Sequence, residues 1–162
     1  MYKAVLVDDE PHCTQSLMML LETYAAGQIE VAATFNKPAE AVDYLLRYQT
    51  DLLFLDIEMP GMNGFELLSK LMPLHMDVIF VTAYDQYAIK AFSYSAISYL
   101  LKPVDDIELQ SVLGRWLEKQ NKIISSQQLA LMKELLDKSH KTKTRVALPT
   151  GEGLEFLEIT RH

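Results

Sequence analysis

Three aspartates, a threonine and a lysine stand where short apolar runs end, and together they could handle a cation and a phosphoryl group. The runs are Val5-Leu6-Val7 before Asp8-Asp9, Leu52-Leu53-Phe54-Leu55 before Asp56, Val78-Ile79-Phe80-Val81 before Thr82, and Tyr99-Leu100-Leu101 before Lys102-Pro103. A fifth run, Ile29 to Thr34, ends quietly. If the runs are buried parallel strands, all five groups meet at one edge of one sheet. Three carboxylates within a few ångströms repel, so one takes up a proton unless a cation sits among them. Mg²⁺ suits that place, as a hard ion usually held by one or two carboxylates, waters and phosphate oxygens. Asp56, at the centre of the set, can then act as a nucleophile and form an acyl phosphate. Lys102 and Thr82 would contact the transferred oxygens and stabilise charge in the transition state.

Each residue also has a purely structural use. Asp9 could cap the helix that follows, Asp56 could start a turn, Thr82 could simply end a strand, and Lys102 could be a surface charge. Their joint occurrence at the ends of four runs favours the chemical reading over four separate coincidences.

The elements between these runs support the common edge. After Tyr2–Val7, Pro11 opens a segment in which Leu17, Leu20, Leu21 and Tyr24 recur at helical spacing, and Gly27 ends it. Pro38 opens a second helix with Ala41, Val42, Leu45 and Leu46 on one face. The turn-rich loop Met59-Pro60-Gly61-Met62-Asn63-Gly64 leads to a short helix over Phe65–Leu71. A fourth helix is expected over Gln86–Phe92, a fifth strand over Ile97–Leu101, and a last helix from about Val104-Asp105-Asp106. Strands alternating with helices imply βαβ units, and the absence of in-out alternation in the strands implies cover on both faces. The expected fold is α/β, a doubly wound five-stranded parallel sheet over residues 1–118. In such sheets ligands bind outside the carboxyl ends of the strands.

The composition, 49% apolar and 23% charged over 162 residues, is that of a soluble globular chain. A lone Cys13 excludes an intramolecular disulfide and reads as a small hydrophobe on the first helix. No signal peptide and no membrane-length apolar run is visible, so a cytoplasmic chain without membrane contact is expected. Residues 1–115 hold 16 acids and 7 bases, a net charge of −9, whereas residues 116–162 hold 6 acids and 8 bases, net +2. The acidic part is unsuited to nucleic acid, and the basic cluster Lys138, Lys141, Lys143, Arg145 reads as a solvated linker.

Asp8-Asp9, Asp56 within Leu55-Asp56-Ile57-Glu58-Met59-Pro60-Gly61-Met62-Asn63-Gly64, Thr82-Ala83 and Tyr99-Leu100-Leu101-Lys102-Pro103 resemble the receiver domain of two-component response regulators. The resemblance covers residues 1–118 with every signature in order. It implies that Asp56 accepts a phosphoryl group from a phosphohistidine on a sensor histidine kinase. It implies that Asp8, Asp9, Asp56 and the backbone carbonyl of Glu58 place Mg²⁺, and that Thr82 and Lys102 bind phosphoryl oxygens. It implies a cis Lys102–Pro103 bond and a switch role for Tyr99, which turns inward when Thr82 moves. Homodimerisation through the fourth helix, fifth strand and fifth helix (residues 84–116) is also implied.

The segment Asp105–Ser139 contains no proline and could form one helix of about 52 Å. Leu109, Leu113, Trp116 and Ile123 form one heptad-like stripe, and Ile124, Leu131 and Leu135 another, displaced by one residue. Polar stretches leave open a break near 120–128, with residues 119–143 as a helical linker. Arg145–Ile159 reads as two strands around a Gly-containing turn. It resembles the opening strands of a LytTR-type DNA-binding domain, and residues 80–92 and 99–104 resemble receivers of that subfamily. Residues 144–162 are then an incomplete domain and the chain a truncated transcriptional regulator, with DNA binding only through the missing part. Two alternatives stand beside this reading. One is a stand-alone phospho-regulated interaction module. The other is a Mg²⁺-dependent phosphohydrolase using Asp56 covalently, although Glu58 stands where such hydrolases need a second Asp.

Overall fold

The computed structural model describes residues 1–87, 90, 96–140, 144–151 and 153–159. Five strands form one parallel sheet: β1 (Tyr2–Val7), β2 (Ile29–Phe35), β3 (Leu52–Leu55), β4 (Asp77–Thr82) and β5 (Ser98–Leu101), in the order β2-β1-β3-β4-β5. This is the doubly wound α/β fold expected from the sequence. The strand residues Ala4 to Val7, Leu52 to Leu55 and Val78 to Val81 are all buried, because helices cover both faces of the sheet. Chain order reverses beside β1, between β2 and β3, and this puts the carboxyl ends of β1, β3 and β4 side by side.

Helix α1 (Pro11–Tyr24) begins on proline and buries Thr14, Leu17 and Leu21. Tyr24 stays at the surface, where its hydroxyl donates to the Asp106 carboxylate at 2.9 Å. Helix α2 (Pro38–Arg47) buries Ala41, Val42 and Leu45, but Leu46 is 63% exposed, contrary to the expectation of a shared face. At about 100° per residue, Leu46 lies beyond the stripe that Ala41 and Leu45 define. Helix α3 (Gly64–Leu71) starts with a capping box: the Asn63 side chain accepts from the Glu66 N–H, and the Glu66 carboxylate accepts from the Asn63 N–H. The main core lies between the sheet and helices α2 and α3, with Phe65, Phe80, Leu67, Leu68, Leu53 and Leu55 at its centre.

The helix expected over Gln86–Phe92 lies largely outside the described residues, of which Asp85–Tyr87 form a 3₁₀ turn. Helix α4 runs unbroken from Asp106 to His140, so the polar stretches near 120–128 do not interrupt it. The chain divides into compact units Met1–Gly114 and Arg115–His162. In the second unit β6 (Thr144–Thr150) pairs antiparallel with β7 (Gly153–Ile159), the expected hairpin. No helix among the described residues is long and apolar enough to cross a membrane.

Gly64 has a reason to be glycine that its turn-rich setting conceals. A Cβ there would lie 2.5 Å from the Asp56 carbonyl oxygen and 3.1 Å from the Ile57 Cα, both backbone atoms that cannot step aside. Gly114, by contrast, sits within α4 with nothing within 4 Å of a Cβ. Gly64→Ala is therefore expected to destabilise the fold by about 1–3 kcal/mol. Gly114→Ala is expected to stabilise it by about 0.5–1 kcal/mol through helix propensity. Urea unfolding of the two variants should shift the midpoint in opposite directions.

Candidate functional site

Backbone hydrogen bonds continue past the strand ends and fix the residues that follow. Asp8 N–H donates to the Phe35 carbonyl at 3.0 Å, Asp56 N–H to Val7 at 2.9 Å, and Lys102 N–H to Thr82 at 2.8 Å. Register pairs Val7 with Leu55, Leu55 with Phe80 and Thr82 with Leu101. Asp8, Asp56, Thr82 and Lys102 therefore lie along a single sheet edge. The Lys102–Pro103 peptide bond is cis.

At that edge the Lys102 ammonium lies 2.6 Å from Asp8 Oδ2 and 3.3 Å from Asp56 Oδ2. Asp8 and Asp56 are 6% and 5% exposed, so these are pairs in a poorly hydrated setting and not surface ion pairs. The second oxygens are used too: Asp8 Oδ1 accepts from the Glu10 N–H at 3.0 Å, and Asp56 Oδ1 from the Ile57 N–H at 2.8 Å. One carboxylate oxygen from each of Asp8, Asp9 and Asp56 lies within 4.8 Å of the others. An all-oxygen set of this charge fits a hard divalent cation and not a soft one. Asp9 does not cap α1, whose N-cap is Glu10 with no side-chain hydrogen bond.

The sequence argument left the three acids needing an outside cation; the structure places Lys102 among them instead. That compensation is incomplete. Burial first, and then the Asp8 charge, push the Asp56 carboxyl up to about 6, against the pull of Lys102. Burial and the charge of Asp8 also raise Asp9. Burial disfavours the charged form of Lys102, but the Asp8 hydrogen bond and the charges of Asp56 and Asp8 outweigh it, and its pKa is raised.

Thr82 is fully buried at the end of β4, where its Oγ1 accepts from the Tyr84 N–H at 3.4 Å. The Tyr99 hydroxyl donates to the Tyr84 carbonyl, and its half-buried ring lies 6.4 Å from that of Phe80. Tyr84 thus links Thr82 to Tyr99. Glu58 lies two residues beyond Asp56, and its carboxylate accepts from the Tyr87 hydroxyl at 2.5 Å, away from the acidic cluster.

Two supporting residues escaped the sequence argument. The run from Ile29 does not end quietly: it extends to Phe35, and the Asn36 side chain donates to the Asp8 carbonyl at 2.8 Å and to Thr14 Oγ1 at 3.3 Å. A polar residue directly after an apolar run was the available signal, masked by ending the run one residue early, at Thr34.

Because folding raises the Asp56 pKa, the fold favours its protonated form. Its stabilising contribution is fully present below the ordinary aspartate range and is lost as pH rises through about 6. In a chelator-containing buffer, Asp56→Asn should be more stable than the native chain at pH 8 by about 1–2 kcal/mol. The difference should fade as pH drops below about 4. Denaturant unfolding at the two pH values checks both parts; equal stabilities at pH 8 would contradict the electrostatic argument.

Comparison with known proteins agrees with this fold. The family model of the response regulator receiver domain matches residues 4–114. A response regulatory protein of Vibrio cholerae serotype O1 is 44% identical over 123 residues, which are 75% of this chain and 51% of that protein. The transcriptional regulatory protein BtsR of Escherichia coli K12 is 37% identical over 123 residues, with the same two coverages of 75% and 51%. The chain thus spans about half the length of these curated relatives. Among solved structures, the receiver domain of AraT from Geobacillus stearothermophilus is 30% identical with a TM-score of 0.65, covering 75% of this chain and 96% of that one. TrrA of Thermotoga maritima, solved with Mg(2+)-BeF, is 30% identical with a TM-score of 0.59, covering 71% of this chain and 98% of that one. With its parallel sheet, its acidic strand edge and this match, the chain belongs to the response regulator receiver family.

Proposed function

We propose that Asp56 accepts a phosphoryl group from the phosphohistidine of a sensor histidine kinase and that the resulting change controls transcription from the cytoplasm. The observation that carries this reading is the Lys102 ammonium shared between Asp8 and Asp56, at 2.6 and 3.3 Å, on the carboxyl edge of the sheet. One Asp56 oxygen attacks phosphorus, the phosphorus–nitrogen bond breaks, and its electron pair remains on the kinase imidazole. The product is an acyl phosphate. Asp8, Asp9, Asp56 and the Glu58 backbone carbonyl would hold Mg²⁺, which supplies positive charge against the phosphoryl oxygens. Lys102 keeps its shorter contact to Asp8 and exchanges the longer one, to Asp56, for a phosphoryl oxygen.

Thr82 provides the relay. Its contact with the Tyr84 N–H is long at 3.4 Å, so turning the hydroxyl toward a phosphoryl oxygen sacrifices little. Tyr84 is then released on one side while Tyr99 still holds its carbonyl, and the ring of Tyr99 turns inward with the loop. Phosphorylation adds a charge of about −1.5 to −2 and three acceptor oxygens. Reversing a 1:99 equilibrium takes about 5.5 kcal/mol. Two or three charge-assisted hydrogen bonds of about 1.5–3 kcal/mol each supply it. The face biased is residues 84–116, through which a homodimer forms. DNA binding belongs to a LytTR-type portion outside this chain, in keeping with the half-length match to a transcriptional regulatory protein.

Receivers are signalling modules and not enzymes in the usual sense, and the curated relatives are named as regulatory proteins. The phosphohydrolase alternative lacks support: the residue two beyond Asp56 is Glu58, and its carboxylate is engaged by Tyr87. Incubation with acetyl phosphate and Mg²⁺, followed by intact mass, should give a single adduct of about 80 Da. Chelation of Mg²⁺ or Asp56→Asn should abolish it. An adduct that survives in Asp56→Asn would overturn the assignment.

A further inference from the structure

Beside the acidic edge, the first turn of α1 gathers three side chains of different ligand chemistry. Glu10, His12 and Cys13 each place one donor atom, an oxygen, a nitrogen and a sulfur, within 4.8 Å of the other two. Cys13 was expected to be a small hydrophobe; it is half-buried and its thiol donates to Glu10 Oε2 at 3.2 Å. His12 Nε2 lies 3.4 Å from the same oxygen. Zinc bonds of about 2.0–2.3 Å to O, N and S in a tetrahedron imply ligand–ligand edges of roughly 3.3–3.6 Å. The two measured edges of 3.2 and 3.4 Å therefore already approach that size.

We propose that Glu10, His12 and Cys13 form a second metal site, for a borderline-soft divalent ion of the zinc class, separate from the oxygen site of Asp8, Asp9 and Asp56. Donor chemistry separates the two. Three carboxylates suit Mg²⁺, whereas thiolate with imidazole selects zinc-like ions and offers Mg²⁺ nothing. The three residues line a cavity of about 500 Å³ that also reaches Asp8 and Lys102, which leaves room for water or another small ligand as the fourth donor. Charge draws a cation here, because Asp8, Asp9 and Glu10 outweigh the partial positive charge of the α1 N-terminus. Burial, the Glu10 hydrogen bond and the Asp8 charge also push the Cys13 thiol up to about 11, so an ion that binds must displace that proton. The sites also share a turn: the Glu10 N–H donates to Asp8 Oδ1 at 3.0 Å. An ion on Glu10 therefore bears on the carboxylate that holds Lys102.

Co²⁺ is the probe, titrated into the full chain with Mg²⁺ in excess to fill the oxygen site. A thiolate-to-cobalt charge-transfer band should rise, saturate at one equivalent and vanish on addition of one equivalent of Zn²⁺. Cys13→Ser should abolish the band. Loss of a mere outer-shell partner weakens metal sites by roughly 10–100-fold, so losing a ligand in His12→Ala or Glu10→Gln should weaken binding about tenfold or more. Both side chains are exposed, so these variants keep the fold, and circular dichroism verifies it. Absence of the band, or a band of unchanged affinity in both His12→Ala and Glu10→Gln, overturns the site.

Discussion

Everything in the first unit converges on one ammonium group between two buried carboxylates. Lys102 reaches Asp8 and Asp56 because β1, β3, β4 and β5 are held in register in one sheet and because backbone bonds carry β1, β3 and β5 one residue past their ends. Burying a charged group is costly unless it is paired and hydrogen-bonded, and each partner here has both kinds of support. The compensation falls short: Asp8 and Asp56 face one lysine, a deficit of one charge, and Asp9 makes it two. Asp56 is left with a raised pKa, and the edge is left attractive to a hard cation.

The same shortage supports the proposed switch over a turnover site. A phosphoryl group arriving with a divalent cation exchanges an electrostatic deficit for satisfied charge-assisted bonds. In the proposed switch, the route outward is the chain of single contacts from Thr82 to Tyr84 to Tyr99. Asn36 and Thr14 hold the other side of the site still, since they tether the Asp8 carbonyl to β2 and α1.

Much of this was legible in the sequence. The uninterrupted apolar runs gave a parallel sheet, and the topology rule for such sheets gathered Asp8, Asp9, Asp56, Thr82 and Lys102 at one edge. What was not legible depends on distances that spacing does not carry. That Lys102 acts as the cation among the acids needs the placement of β5 beside β4, in the sheet that also holds β1 and β3. Gly64 read as a turn residue because the close approach of the Asp56 carbonyl is a tertiary fact. Leu46 was misplaced because apolar identity alone does not set which edge of a helical stripe is covered. The continuity of α4 was open because polar stretches near 120–128 interrupt both apolar stripes.

The central claim, an acidic edge undercompensated by Lys102 and completed by a divalent cation, is tested most directly by following the Asp56 side-chain carboxyl by carbon-13 NMR across pH. Without divalent ions its midpoint should lie near 6, and with saturating Mg²⁺ it should fall to or below the ordinary aspartate range of about 3.9. A midpoint already in the ordinary range, unmoved by Mg²⁺, would contradict the account.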